Sequence, residues 1–371
     1  MVLESMKDQL RLYKEYMEPV IKNRLSLFKY LKSGANVDIL FYNGMQLHFD
    51  KQEKHVLFDI SRGMTLLKRI DVPLVMEGDI LSIKIFPHTN IKLDIKDLTN
   101  VEISNTLLLI YYSIKYGAVI NPSSSTQLGK IEQNTITIDT ERKIIKTREG
   151  IRFRINDIEP WIFAETFILR IHDRFIHDIK GRTVLDIGAC FGDTALYFAV
   201  NGAEVYSVEP AHENFLAMQR NFELNRQVKA KIHPIKVVIG NDRQSVSFRS
   251  TKGMIDGGSS AFTSRTGYTE QLKSYYVLSL MEKFDIKSVD YLKMDCKGGE
   301  FFLRKEDLER VNRYLQIEYT AEDDNKTLEL AGLIKKSGFE LILVRSNPND
   351  EQPTQRHGTI YAVRQNNKAN V

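Results

Sequence analysis

The run Val184-Leu185-Asp186-Ile187-Gly188-Ala189-Cys190-Phe191-Gly192-Asp193-Thr194-Ala195 constrains the fold more than any other stretch of the chain. A compact apolar strand passes straight into a turn carrying two glycines, and a helix begins at Asp193-Thr194. The pattern then repeats. Strands are expected at 184–187, 205–208, 232–239, 291–294, 314–317, 339–344 and 359–363, with helices from 194, over 212–225 and over 326–337. Compact, mostly apolar strands alternating with helices predict a mostly parallel sheet covered on both faces, an α/β fold.

The turn after the first of these strands is the first candidate for ligand contact, because Gly188 and Gly192 let backbone come close to a bound group. A dinucleotide cradle is disfavoured. The glycines lie four apart, and Cys190 stands where G-x-G-x-x-G needs glycine. Glu209-Pro210 ends the second strand, and Glu209 follows Gly188 by 21 positions. At that spacing an acid reaches ribose hydroxyls beside the first βα turn, and a carboxylate accepts both bonds of a vicinal diol. A third strand ends in Asp295, with Glu300 just beyond. Asp186, Glu209 and Asp295 should therefore converge at the carboxyl ends of strands near the switch point. Such a set suits a cationic, hydroxyl-rich ligand, and S-adenosylmethionine fits it better than a dinucleotide.

The first half reads differently. Leu10, Met17, Ile21, Leu25 and Phe28 fall at helical steps, predicting an amphipathic helix restarted at Pro19. Residues 38–42 and 45–49 flank Asn43-Gly44, a hairpin signal with a type I′ turn. Short β-like runs follow from 74 to about 103, and residues 121–125 are a loop signal. A boundary near there divides an N-terminal α+β module, residues 1–130, from a second domain, residues 131–371. Alternating strands at 135–138 and 151–155 lead into that domain, followed by a helix over 160–177. The N-terminal module is expected to select substrate or to support a homo-oligomer.

Composition narrows the function classes. Lys and Arg number 52 against 48 Asp and Glu, so the net charge of +4 lacks the field of a dedicated nucleic-acid binder. Two cysteines exclude a disulfide-stapled scaffold, and no Cys/His spacing suits structural zinc. The N-terminus lacks a signal-peptide pattern, and residues 107–120 are too short to span a bilayer. The expectation is a cytoplasmic protein with no membrane span. His172 and His177 stand five apart, which is not a helical metal pair, and no metal is expected.

Residues 150–363 resemble the FkbM family of S-adenosylmethionine-dependent methyltransferases. The resemblance rests on Asp186-Ile187-Gly188-Ala189-x-x-Gly192-Asp193-Thr194, Val208-Glu209-Pro210 with Asn214-Phe215, Asn221 and Asn225, and Gly258-Ser259-Ser260. Lys293-x-Asp295-x-x-Gly298-x-Glu300, Ile317-Glu318, Gly338-Phe339-x-Leu341 and the upstream Glu165-Thr166 complete it. It implies a Rossmann-like class I methyltransferase sheet with an antiparallel last strand at 359–363. It also implies methyl transfer to a hydroxyl of a sugar, glycan or small metabolite. By the same analogy Asp186, Gly188, Ala189, Gly192, Asp193 and Thr194 line the methionine part, Glu209 and Pro210 the ribose, and Asn241 the adenine. Asp295 faces the methyl-transfer side.

Catalysis then asks for alignment, exclusion of water and acceptance of one proton. Asp295 is the first candidate base, Glu300 the second and Glu318 the third. Where the family carries Glu in D-x-E-G-x-E, this chain has Lys297. A lysine there holds Asp295 ionised and makes it a poorer proton acceptor. An Asn/Asp-Pro-Pro-Tyr turn is replaced by Asp295-Cys296-Lys297-Gly298, which disfavours methylation of nitrogen. Two alternatives stay open. One is an RNA 2′-O-methyltransferase using Asp295, Lys297 and Glu318, with a nucleic-acid acceptor less favoured than a small molecule or glycan. The other is a non-catalytic S-adenosylmethionine-binding assembly protein.

Overall fold

The computed structural model describes residues 11–85, 89–122, 135–173, 178–250, 255, 257, 268–321, 323–345 and 357–365. Contacts divide the chain after Leu169 into two units.

The first unit combines helices Arg24–Ser33, Lys54–Arg69 and Asn100–Lys115 with three small sheets. Strands β1 (Val37–Leu40) and β2 (Gln46–Phe49) form a hairpin. Strands β3 (Leu74–Glu77), β4 (Ile80–Ile85) and β5 (Thr89–Asp94) form an antiparallel sheet. In the third sheet β6 (Val119–Pro122) runs parallel to β7 (Thr135–Asp139), and β8 (Ile144–Lys146) and β9 (Arg152–Arg154) continue antiparallel. The strands expected at 135–138 and 151–155 thus pair within this sheet. Helix Asn100–Lys115 begins at a capping box between Thr99 and Glu102. Its residues from Glu102 to Ser113 are all buried, so it forms the core of the unit.

Three expectations need correction here. The amphipathic stripe does not continue through Pro19. A short π-helical segment, Tyr13–Met17, precedes the break, and the helix that restarts at Arg24 has a new phase. Met17 and Ile21 are buried, but Leu25 is 82% and Phe28 67% exposed, while Leu27 and Tyr30 take the inward positions. The hairpin forms, but without a type I′ turn. Phe41 N–H bonds to Met45 O, leaving a three-residue loop in which Gly44 has φ 92° and Asn43 no positive φ. The helix expected over 160–177 is shorter: Pro160–Phe163 is α-helical, Ala164–Ile168 is a π-helical turn, and Arg170 has φ 53°. Residues 1–10, 123–125, 177 and 258–260 of the sequence reading lie outside the described residues.

The second unit is built on a seven-stranded sheet. Its strands are β10 (Thr183–Ile187), β11 (Glu204–Val208), β12 (Ile232–Ile235), β16 (Val289–Met294), β17 (Val311–Thr320), β18 (Phe339–Arg345) and β19 (His357–Arg364). The order across the sheet is β12-β11-β10-β16-β17-β19-β18. All neighbouring pairs are parallel except those of β19, which runs antiparallel to β17 and β18. This is the Rossmann-like sheet with an antiparallel last strand. Helices Asp193–Val200, His212–Leu224, Val277–Lys283 and Asp324–Lys336 connect the strands. The central strands are mostly apolar because both faces are covered: Val184, Leu185, Leu292 and Met294 are inaccessible to solvent, and Asp186 and Lys293 are the charged exceptions.

The single strand expected at 232–239 divides in two. β12 takes the sheet edge, where Pro234 is tolerated. The next strand, β13 (Val238–Ile239), leaves to pair in parallel with β15 (Tyr268–Tyr275), which is antiparallel to β14 (Arg243–Ser250). Sequence reading did not find this three-stranded sheet. Among the described residues no helix is long and apolar enough to cross a membrane.

Candidate functional site

The sheet reverses its winding between β10 and β16, so the carboxyl ends of these strands and of β11 frame the crevice where ligands bind in open α/β sheets. Three segments meet there. The turn after β10 closes on β11, because the N–H groups of Gly188 and Ala189 both bond to Val208 O, at 2.9 and 3.1 Å. It also closes on β16, where Asp295 N–H bonds to Ile187 O at 2.9 Å. Gly188 has φ +77°, and a Cβ built on it would stand 1.9 Å from Asp295 O. No other residue fits. The glycine thus serves the approach of two strand ends; Gly192, whose Cβ would meet the Phe222 ring at 2.6 Å, serves the packing of the next two helices.

Asp186 lies at the centre of this framework and is inaccessible to solvent. Its Oδ2 accepts from Thr194 Oγ1 at 2.5 Å, and its Oδ1 is 3.1 Å from Lys293 Nζ. Lys293 faces Asp186 directly across the parallel β10–β16 pair and also donates to Gly188 O at 2.9 Å. Burial pulls the Lys293 ammonium down, but Asp186, Asp295 and Asp193 outweigh it and leave it above the usual lysine range. Asp193 and Thr194 occupy the buried first turn of helix Asp193–Val200. Sequence reading assigned Lys293 no role. Each strand carries one charge in an otherwise apolar run, and that the two face each other follows from the register of the β10–β16 pair.

Glu209 is 4% exposed, and its carboxylate reaches back across the turn. Oε2 accepts from Cys190 N–H at 2.9 Å, and Oε1 from Ala211 N–H at 2.8 Å and Asn214 Nδ2 at 3.4 Å. Burial nevertheless pushes this carboxyl up to about 7, against the pull of those donors. Pro210 separates Glu209 from Ala211. Asn241 lies beyond β13, next to Asp242, whose carboxylate accepts from Tyr276 N–H and Ser279 Oγ.

The three candidate bases differ in surroundings. Asp295 Oδ1 is 2.6 Å from Lys297 Nζ, and the same ammonium donates to Glu318 Oε1 at 2.8 Å. The side chains of Asp295, Lys297 and Glu318 keep 25%, 25% and 29% of their exposure, so this bridge lies at the solvent boundary. Lys297 has φ 50°, and Asp295 and Glu318 outweigh the downward pull of burial on its ammonium. Glu300 is inaccessible; its oxygens accept from Gly298 N–H at 2.7 Å and Thr320 N–H at 3.2 Å, fixing the turn after β16. The geometry brings Asp295 and Glu318 to one cation and turns Glu300 toward backbone.

His172, buried and bonded to Gln316 at 3.0 Å, is pulled down to about 4 by burial. His357 opens β19 and meets Thr320 Oγ1 at 3.2 Å. Cys190 and Cys296 end neighbouring strands without a disulfide between them. Among the described residues no group of three or more His, Cys, Asp or Glu is placed to hold a metal ion.

Residues 186–341 match the family model described as methyltransferase FkbM domain. No curated protein matches the chain. Among solved structures, the ribosomal protein L11 methylase of Lactobacillus delbrueckii subsp. bulgaricus is 13% identical, with 66% of this chain and 93% of that chain covered at a TM-score of 0.37. The fibrillarin pre-rRNA processing protein of Methanococcus jannaschii is 13% identical, covering 79% and 97%, TM-score 0.36. Magnesium protoporphyrin IX methyltransferase from Synechocystis PCC 6803 with bound SAM is 10% identical, covering 55% and 78%, TM-score 0.32.

Proposed function

Because residues 186–341 form a methyltransferase FkbM domain, we propose that the chain binds S-adenosylmethionine and transfers its methyl group to a hydroxyl of a sugar, glycan or small metabolite. The observation that carries the reading is Glu209, a buried acid at the tip of β11 bonded to the turn after β10. A carboxylate offers about four acceptor positions. The protein's donors fill at most three, one of them at 3.4 Å. The high proton affinity of Glu209 fits this count, since its donors do not offset its lost hydration. A ribose hydroxyl supplies a donor for the remaining position, and its vicinal partner can take the place of the long Asn214 contact at 3.4 Å.

The cofactor brings a methyl group already activated by a positive sulfur, so the protein's share is positioning, exclusion of water and one proton. Thr194 and Lys293 lock Asp186, which fixes the turn of Gly188 through Lys293. Glu209 receives the ribose. Asp295, held at the solvent boundary by Lys297, accepts the proton of the acceptor hydroxyl, and Glu318 shares the lysine's charge. Glu300 acts as a positioning residue for the Lys297-Gly298 turn.

A second reading draws on the same bridge: an Asp–Lys–Glu cluster at strand ends also suits the 2′-hydroxyl of RNA. Purified protein incubated with methyl-labelled S-adenosylmethionine and fractionated cell extract separates the two. Label in a glycan or small-molecule fraction, stable to mild base as an ether, supports the first. Label in RNA carries the second, and label on nitrogen contradicts both.

A further inference from the structure

Eight large apolar side chains are exposed among the described residues, and three of them, Leu25, Phe28 and Leu31, lie on the helix Arg24–Ser33. Leu25, at 82%, and Phe28, at 67%, are the most exposed of the eight. Single exposed apolar residues are ordinary, whereas a cluster on one short element marks a surface that meets something. The helix cannot turn this face inward. Its opposite side is held by the buried Leu27 and Tyr30, and the Tyr30 hydroxyl donates to Asp50 O at 2.5 Å. Asn23 ties the start of the helix to β1, donating to Asp38 O and accepting from Leu40 N–H, both at 2.8 Å. The outward face is also cationic. The helix carries Arg24, Lys29 and Lys32 and no acid. At the pitch of an α-helix Leu25, Phe28 and Lys32 fall within about 60° of one another, with Arg24 and Lys29 on either side. Lys29 and Lys32 are exposed and form no ion pair among the described residues, while Arg24 meets Glu18 at 2.8 Å with both side chains open to water.

We propose that the outward face of helix Arg24–Ser33 docks the protein on an anionic lipid surface, with Leu25 and Phe28 entering the boundary between head groups and acyl chains and Arg24, Lys29 and Lys32 meeting the lipid phosphates. The charge selects this occupant. A second copy seated on the same face by a two-fold axis would bring its three cations against these three, with no acid on the helix to offset them. The helix has 10 residues, too few to cross a bilayer. It therefore lies in the plane of the interface, where a bulky apolar ridge between cations is the expected pattern. The long lysine stems cover apolar surface while their ammonium groups stay in water. This surface belongs to the first unit and is independent of the methyl-transfer reading.

Flotation of the full chain with lipid vesicles tests it, comparing phosphatidylcholine alone with phosphatidylcholine carrying about 30% phosphatidylglycerol. At about 0.1 M salt the protein should bind the anionic vesicles at least about tenfold tighter than the neutral ones, and about 0.5 M salt should remove most of that difference. Leu25→Gln with Phe28→Gln replaces the ridge at two exposed positions by a good helix former, so the fold should be kept. Binding should fall at least about tenfold. Lys29→Gln with Lys32→Gln should weaken it by about fivefold per cation. Leu328→Gln, at an exposed apolar position of the second unit, should leave it unchanged. Failure to bind anionic vesicles, equal binding to neutral ones, or undiminished binding in either double variant overturns the assignment. So does a dimer in sedimentation that Leu25→Gln with Phe28→Gln dissolves, which would give the face to a second copy.

Discussion

Lys293 and Lys297 leave the end of one strand four residues apart, and each sits between acids, yet their surroundings are opposite. Lys293 keeps 8% of its side-chain exposure and its partner Asp186 none. Lys297 and its partners keep about a quarter. A fully buried pair cannot release a charge without leaving the other stranded, so Lys293 and Asp186 act as framework for the Gly188 turn. A pair at the water boundary can exchange partners and protons at small cost, which is what a site for hydroxyl deprotonation needs. On the proposed reading, burial rather than residue type separates scaffold from chemistry.

The sharpest way to break that contrast is Asp295→Asn. Methyl transfer should fall by about 10²–10⁴, with S-adenosylmethionine affinity within about threefold and the melting temperature nearly unchanged. Equal loss of affinity and turnover would move Asp295 to the cofactor's contacts. Lys293→Met should instead cost about 3–5 kcal/mol in urea unfolding, because Asp186 is left buried and uncompensated; a loss below about 1 kcal/mol would show that water reaches Asp186.

Glu209 sharpens the comparison through pH. Its value of about 7 lies above the ordinary carboxylate range, so folding takes up a proton. In the free protein that contribution to stability is full in acid and fades as pH rises through about 7. A diol donating to the ionised carboxylate has the opposite preference, so cofactor affinity should rise about tenfold between pH 6 and pH 8. Glu209→Gln should flatten the profile. The smallest effect is expected for Lys297→Met, about 1 kcal/mol in stability, since its partners are already partly hydrated. A cost as large as that of Lys293→Met would erase the distinction.

The second unit was legible in the sequence wherever burial on both faces leaves a short, mostly apolar strand, as in 184–187 and 291–294, each interrupted by a single charged residue, Asp186 and Lys293. The sheet of β13, β14 and β15 was not, because Arg243–Ser250 and Tyr268–Tyr275 are rich in polar residues and their pairing is not local. The stripe through Leu25 and Phe28 misled for a different reason. Helical spacing carries phase only while the helix is continuous, and the break between Met17 and Arg24 rotates the second helix relative to the first. In the site, the strand-end acids Glu209 and Asp295 could be located by spacing. The commitment of Glu300 to backbone amides and the Asp186–Lys293 pairing depend on register, which a single strand's sequence does not display.

The central assignment is Glu209 as the ribose contact. Titration of S-adenosylmethionine into the wild-type protein and into Glu209→Ala at pH 8, with both shown to be folded by circular dichroism, addresses it directly. The wild type should bind and the variant should lose at least about thirtyfold in affinity, the loss expected for charge-assisted hydrogen bonds. Affinities within threefold of each other, or no binding by the folded wild type, would contradict it.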